Sequence, residues 1–162
     1  MTLTADQVRR FARQILLPPI GGPGQIRIGA ATVLLHGDAP LLATYLAAGG
    51  LGRLLHTGPA PEIAAHEPTF CLESAEPGAP SDLVIDLADG AAFKAATGPA
   101  LFGAVGPDGR VRLGSVALSE SNRSIDPNVA SQPPFALLQT LAAGEALRVL
   151  AGGEAHSYEY AV

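Results

Sequence analysis

The chain has 162 residues, 48% hydrophobic and 15% charged, with a formal net charge of −5; this is one domain's length, with enough apolar content to bury a core, which excludes a disordered segment. Ten Lys and Arg stand scattered against fifteen Asp and Glu, which excludes nucleic acid as the main partner, because that binding needs clustered cations to displace counterions. Pro, Gly or a charge interrupts every apolar run before it reaches the length of a membrane span, and MTLTADQVRRFARQ lacks the basic head and apolar stretch of a secretory signal, so a cytoplasmic location and no membrane partner are expected.

Thr4-Ala5-Asp6-Gln7 has the form of a capping box. Val8, Phe11, Ala12 and Ile15 follow on one face, which predicts an amphipathic helix over about Ala5 to Arg13. Leu16-Leu17-Pro18-Pro19 and Gly21-Gly22-Pro23-Gly24 are expected to stop it, with a short helical turn from Gln25 to Gly29. Ala31 to His36 is a continuous apolar run, the pattern of a strand buried on both faces. Pro40 suits the first turn of the next helix, with Asp38 or Ala39 at its cap; that helix runs to about Ala48 and ends at Gly49-Gly50. Arg53 to Thr57, Phe70 to Glu73 and Leu83 to Leu87 read as strands, and Ala91 to Ala96 as helix. Ala100 to Ala104 and Arg110 to Leu118 read as two strands joined by Gly106-Pro107-Asp108-Gly109, a turn sequence. Ser119 to Pro134 is polar and Pro-interrupted, hence loop; Pro134 to Leu150 is the longest helical pattern, and His156 to Val162 alternates as a strand.

Strands alternating with helices predict an α/β protein: a single Rossmann-like domain over residues 1–162, mostly parallel, with helices on both faces and a mixed C-terminal strand region. Residues 1–29 would form a helical arm and residues 30–162 the sheet core. The one cysteine, Cys71 in TFCLES, excludes an internal disulfide and reads as a buried, inert thiol. His36, His56, His66 and His156 show no close ligand spacing, so no metal site is expected.

Several segments together resemble one family. RRFARQILLPPIGGPGQ is similar to the N-terminal signature of the ThiF/MoeB/HesA family, relatives of the ubiquitin-activating enzymes, where R-Y-S-R-Q-I-L-L-P-E-I-G is typical. YLAAGGLGRL resembles that family's Y-L-A-x-A-G-V-G-x-L, DLVIDLADG its D-V-V-x-D-x-T-D-N, GAVGPDGRV its G-x-x-G-x-V segment and LLQTLAAGEALRVLAG its late helix. The order holds from residue 9 to about 152. The resemblance implies a dimeric Rossmann-like domain that uses ATP and Mg²⁺ to adenylate the C-terminal carboxylate of a small protein or peptide.

The family's phosphate loop is written G-x-G-G-L-G, so that backbone amides can meet phosphate at a helix N-terminus. This chain keeps Gly37 but continues Asp38-Ala39-Pro40 and is about three residues shorter. Pro40 removes an amide donor, and the Asp38 carboxylate is expected to satisfy the helix end internally. Gly58 stands where the family's ribose-binding aspartate would be, and Pro59 to Pro80 contains neither Arg nor Lys. Lys94 is the chain's only lysine. Asp89 matches the family's Mg²⁺-binding carboxylate, with helix capping as an alternative role, and Arg13 matches the arginine that reaches across the dimer to the partner's ATP.

These departures point to a degenerate family member, without a cofactor or catalysis of its own, acting as a dimeric scaffold. It would form a homodimer, or a heterodimer in which Arg13 completes an active relative's site. Phe11, Ile15 and Leu137, Leu138, Leu141, Ala142 and Leu147 could supply the dimer face or the core. The alternatives are an adenylating enzyme with a site rebuilt around Asp89, Arg123 and His56, taking ATP and Mg²⁺, and a non-catalytic binder of a small molecule, a peptide or a ubiquitin-like tail.

Overall fold

A computed structural model of the chain describes residues 2–63, 69–106, 110–115 and 133–161. The elements are α1 (Ala5–Arg10), α2 (Ala12–Ile15), α3 (Gly21–Ala30), β1 (Thr32–His36), α4 (Pro40–Ala48), β2 (Arg53–Thr57), β3 (Cys71–Ser74), β4 (Leu83–Asp86), α5 (Ala91–Ala95), β5 (Ala100–Val105), β6 (Val111–Gly114), α6 (Pro133–Leu150) and β7 (Tyr158–Tyr160). They build one seven-stranded sheet in the order β3-β2-β1-β4-β5-β6-β7. The first five strands in that order are parallel, and β6 and β7 add antiparallel to the far edge. The expected α/β, Rossmann-like architecture with a mixed C-terminal region is therefore what the chain adopts.

The two sheet faces are covered unequally. Val33, Leu35, Leu54, Leu83 and Ile85 pack with Leu42, Leu46, Leu138 and Ala142 of α4 and α6 in the main core. Alternation places Leu34, Leu55 and Val84 on the other face, where Ala92 of α5 covers them. In α6, Phe135, Leu138, Ala142, Ala146 and Leu150 point inward at helical spacing. Each fully buried leucine in this core contributes about 2 kcal/mol. Leu138, Ala142 and Phe11 thus belong to the interior; among the described residues the exposed large apolar side chains are Val8, Leu16, Leu17, Tyr45 and Tyr160.

The N-terminal segment departs from expectation in two ways. The Thr4 capping box forms, with both reciprocal hydrogen bonds to Gln7, but the helix breaks at Phe11 instead of running to Arg13. Phe11 turns inward and is 4% exposed. Its ring fills the space beside Gly50, where φ is +87° and a Cβ would lie 2.6 Å from the ring, so this glycine of YLAAGGLG is required by packing and backbone alike. The glycines at 21–24 do not stop a helix; they begin α3, because Pro23 falls in its first turn, where no amide donor is lost. Ile28 of α3 is fully buried, which makes α3 part of the core layer.

Gly106 N–H donates to Arg110 O at 2.8 Å and closes the β5–β6 connection; Pro107-Asp108-Gly109 and the loop expected after Leu118 up to residue 132 lie outside the described residues. β7 is tied to α6 by Glu145, whose buried carboxylate accepts from Arg148, from His156 N and from the Tyr158 hydroxyl. Burial pushes the Glu145 carboxyl upward, but those three donors together hold it below the ordinary carboxylate value. No helix among the described residues is long and apolar enough to cross a membrane.

Candidate functional site at the sheet's switch point

From β1 the chain winds toward β2 and β3, and from β4 it winds the other way toward β5. In open parallel sheets such a reversal leaves a crevice beyond the strands' C-terminal ends, where ligands bind. Register places the last residues of three strands in one row: His36 of β1 lies beside Thr57 of β2 on one side and Asp86 of β4 on the other. Two loops frame the row, Gly37-Asp38-Ala39 after β1 and Leu87 to Gly90 after β4.

His36 is the centre of this row. Its Nδ1 hydrogen-bonds Thr57 Oγ1, and its Nε2 lies 3.1 Å from Asp89 Oδ1. The Asp89 side chain is 71% exposed and that of His36 19%. The Ala91 amide, hydrogen-bonded to Oδ1, holds the Asp89 carboxyl below its ordinary value; partial burial opposes this, and His36 adds to it. Asp86 is fully buried, and its charge is met by three amides. Oδ1 accepts from Ala88 N at 3.0 Å and Gly90 N at 3.2 Å, and Oδ2 from Phe93 N at 3.1 Å. Asp86 and Asp89 therefore share the capping of α5. Single donor atoms of His36, Asp86 and Asp89 all lie within 4.8 Å of one another.

The N-terminus of α4 is arranged differently. Ala39 is its cap residue and supplies no side-chain bond, and Pro40 occupies the first turn. Asp38 is exposed and does not satisfy this helix end as expected. Gln139 of α6 does so: its Oε1 accepts from Leu41 N at 2.9 Å and from Leu42 N at 3.2 Å, and the residue is 4% exposed. Gly37, the surviving loop glycine, has φ +115°, and a Cβ there would sit 3.2 Å from the Leu87 carbonyl carbon. Its lack of a side chain serves the close approach of the two loops.

The other residues singled out in the sequence are dispersed. Arg13 is exposed in α2, and no ion pair holds it among the described residues. His56 is 7% exposed, with Nδ1 hydrogen-bonded to Gly58 O at 3.1 Å. Arg123 and His66 lie outside the described residues. Cys71, expected to be buried, is exposed on β3, which is the edge strand of the sheet and pairs with β2 alone. A hydrogen bond from its thiol to Glu73 is the main reason its pKa is raised, which favours the unreactive thiol over the thiolate. Sequence reasoning missed Thr57, Asp86, His36 and Gln139. The repeated aspartates of DLVIDLADG signalled the second of these; nothing local signalled the last.

An open, mostly parallel sheet wound both ways from β1 and β4, with polar groups at the reversal, defines a Rossmann-like α/β domain. No protein-family profile matches the chain. A stretch covering 32% of it is 49% identical over 55 residues to the adenylyltransferase and sulfurtransferase MOCS3 of Bos taurus, and covers 12% of that protein. Another comparison gives 43% identity over 58 residues with the vegetative HesA protein of Trichormus variabilis, over 34% of this chain and 22% of that protein. The matched part thus spans less than a quarter of either relative. Among solved structures, PaaA superposes with a TM-score of 0.68 at 15% identity, over 99% of this chain and 75% of that one. E. coli MccB superposes with a TM-score of 0.63 at 11% identity, over 96% and 70%; these two show the shared fold. Over the matched stretch the chain is related to MOCS3 and HesA, proteins of the ThiF/MoeB family.

Proposed function

We propose that this chain has lost ATP-dependent adenylation and works as a dimeric scaffold, or as the subunit that completes an active relative's site. The observation that carries this reading is the pair of hydrogen bonds from the Leu41 and Leu42 amides to Gln139 Oε1. Free amides at this helix end are what a phosphate would need, and the chain's own side chain takes them. Pro40 offers no N–H, and Pro59 to Pro80 contributes no cation. The residues present therefore do not fit a triphosphate, and a Mg²⁺ ion that depends on phosphate oxygens for its coordination loses those ligands with it.

The scaffold part of the reading rests on the N-terminal segment. Val8, Leu16 and Leu17 are 46%, 81% and 51% exposed, and Arg13 lies between them in the chain, exposed as well. Apolar side chains of this size, each left exposed along this one segment, are available for contact with a second chain, and Arg13 would then point its charge toward that chain's nucleotide.

Isothermal calorimetry of the full chain with Mg-ATP tests the loss of catalysis: we expect no saturable heat, and one-to-one binding would reverse the reading. Mixing with an active family member tests the partner role. Adenylate formation should rise with the wild-type chain and fall back with Arg13→Ala; equal rates with both chains would remove that role.

A further inference from the structure

We infer that His36, Asp86 and Asp89 form a binding site for a divalent transition-metal ion of the zinc class, assembled from this chain alone and needing no nucleotide. The site stands apart from the proposed loss of adenylation, and either can fail without the other.

The donor set is one imidazole nitrogen and two carboxylates, and each offers an atom within 4.8 Å of the other two. A tetrahedral ion with bonds of about 2.0–2.1 Å holds its donor atoms roughly 3.3 Å apart. The 3.1 Å between His36 Nε2 and Asp89 Oδ1 already meets that spacing, and all three donor atoms lie within 4.8 Å of one another before any ion draws them together. The supporting groups point the same way. A metal-binding histidine is oriented by a partner on its other nitrogen, and here Thr57 Oγ1 holds Nδ1. A ligating carboxylate is itself hydrogen-bonded, and three backbone amides fix Asp86. Asp89 faces solvent and gives an ion its way in.

The imidazole decides the class of metal. Mg²⁺ demands six oxygen ligands in near-octahedral array and keeps most of its waters, whereas a nitrogen donor with two carboxylates suits zinc, cobalt or nickel. Protons balance on binding. A single ring proton on Nε2 would donate to Asp89, with Nδ1 accepting from the Thr57 hydroxyl. With metal on Nε2, the ring proton sits on Nδ1 and donates to Thr57 Oγ1, which can play either part.

Exposed Cys71 and neighbouring Glu73 could also take zinc, so the test uses the full chain carrying Cys71→Ser, stripped with chelator. Titrated with zinc chloride alone, it should bind one ion per chain and melt at a higher temperature. His36→Asn and Asp89→Asn should each lose at least about 10-fold in affinity, His156→Asn should lose nothing, and excess Mg²⁺ should not displace the zinc. Should His36→Asn fail to fold, imidazole nitrogen NMR of the Cys71→Ser chain replaces it: zinc should move the His36 resonances and leave those of His56 and His156 in place. Absence of zinc binding, undiminished affinity in both variants, unmoved His36 resonances or displacement by Mg²⁺ would each overturn the inference.

Discussion

The two helices that begin at the switch point solve the same problem by opposite means. α5 meets its orphan amides locally, with Asp86 and Asp89 supplying the acceptors from the preceding strand and loop. α4 has no acceptor of its own and borrows Gln139 from α6, 97 residues away from Leu42. An aspartate-capped helix start is written into its own neighbourhood, so it survives in any context that keeps the turn. A helix start closed by a distant glutamine depends on the docking of α6, and that docking occupies the donors a bound anion would use.

The contrast predicts unequal consequences. Asp86→Ala strands three amides in a buried turn and should cost about 3 kcal/mol or more in urea denaturation, the largest effect of the set. Gln139→Ala strands two amides and removes buried atoms; about 2 kcal/mol is expected, with Gln139→Glu milder because a carboxylate suits that helix end. The Gln139→Ala chain should also gain more thermal stability from added sulfate than the wild type, which shows only the general stabilisation that sulfate gives any folded chain. Equal sulfate responses would show that Gln139 does not occupy an anion site.

A third effect depends on pH. The folded Glu145 carboxyl is held below its ordinary value, so its contribution is complete above the usual carboxylate range and fades as pH falls through the folded pKa. Acid titration of stability should therefore be flatter in Glu145→Gln than in the wild type between about pH 5 and pH 3. The smallest effect belongs to Arg13→Ala, where an exposed side chain with no ion pair among the described residues should change stability by less than about 0.5 kcal/mol.

Most of the fold could be read from the chain because its signals are local. The apolar run before His36, Pro40 at a helix start and Gly49-Gly50 at its end place α4 to the residue and β1 to within one residue. The same reasoning failed at Gly21 to Gly24, where glycines that suggest a stop stand inside a helix held by the burial of Ile28 against the core. It failed also at Cys71, since an alternating strand pattern does not tell an edge from a centre. The site was readable only in its Asp89 half. Histidine spacing along the chain looks for ligands on one helix, whereas parallel register brings His36 to Asp86 across 50 positions. Asp38 was the nearest acceptor to α4 by sequence, but tertiary docking put Gln139 there instead.

Backbone amide NMR of Leu41 and Leu42 during titration with Mg-ATP tests the closure of the α4 N-terminus most directly. We expect both resonances to stay in place throughout in the wild-type chain. A saturable shift of these two amides, with the phosphates bound against residues 37–42, would contradict the loss of the nucleotide site.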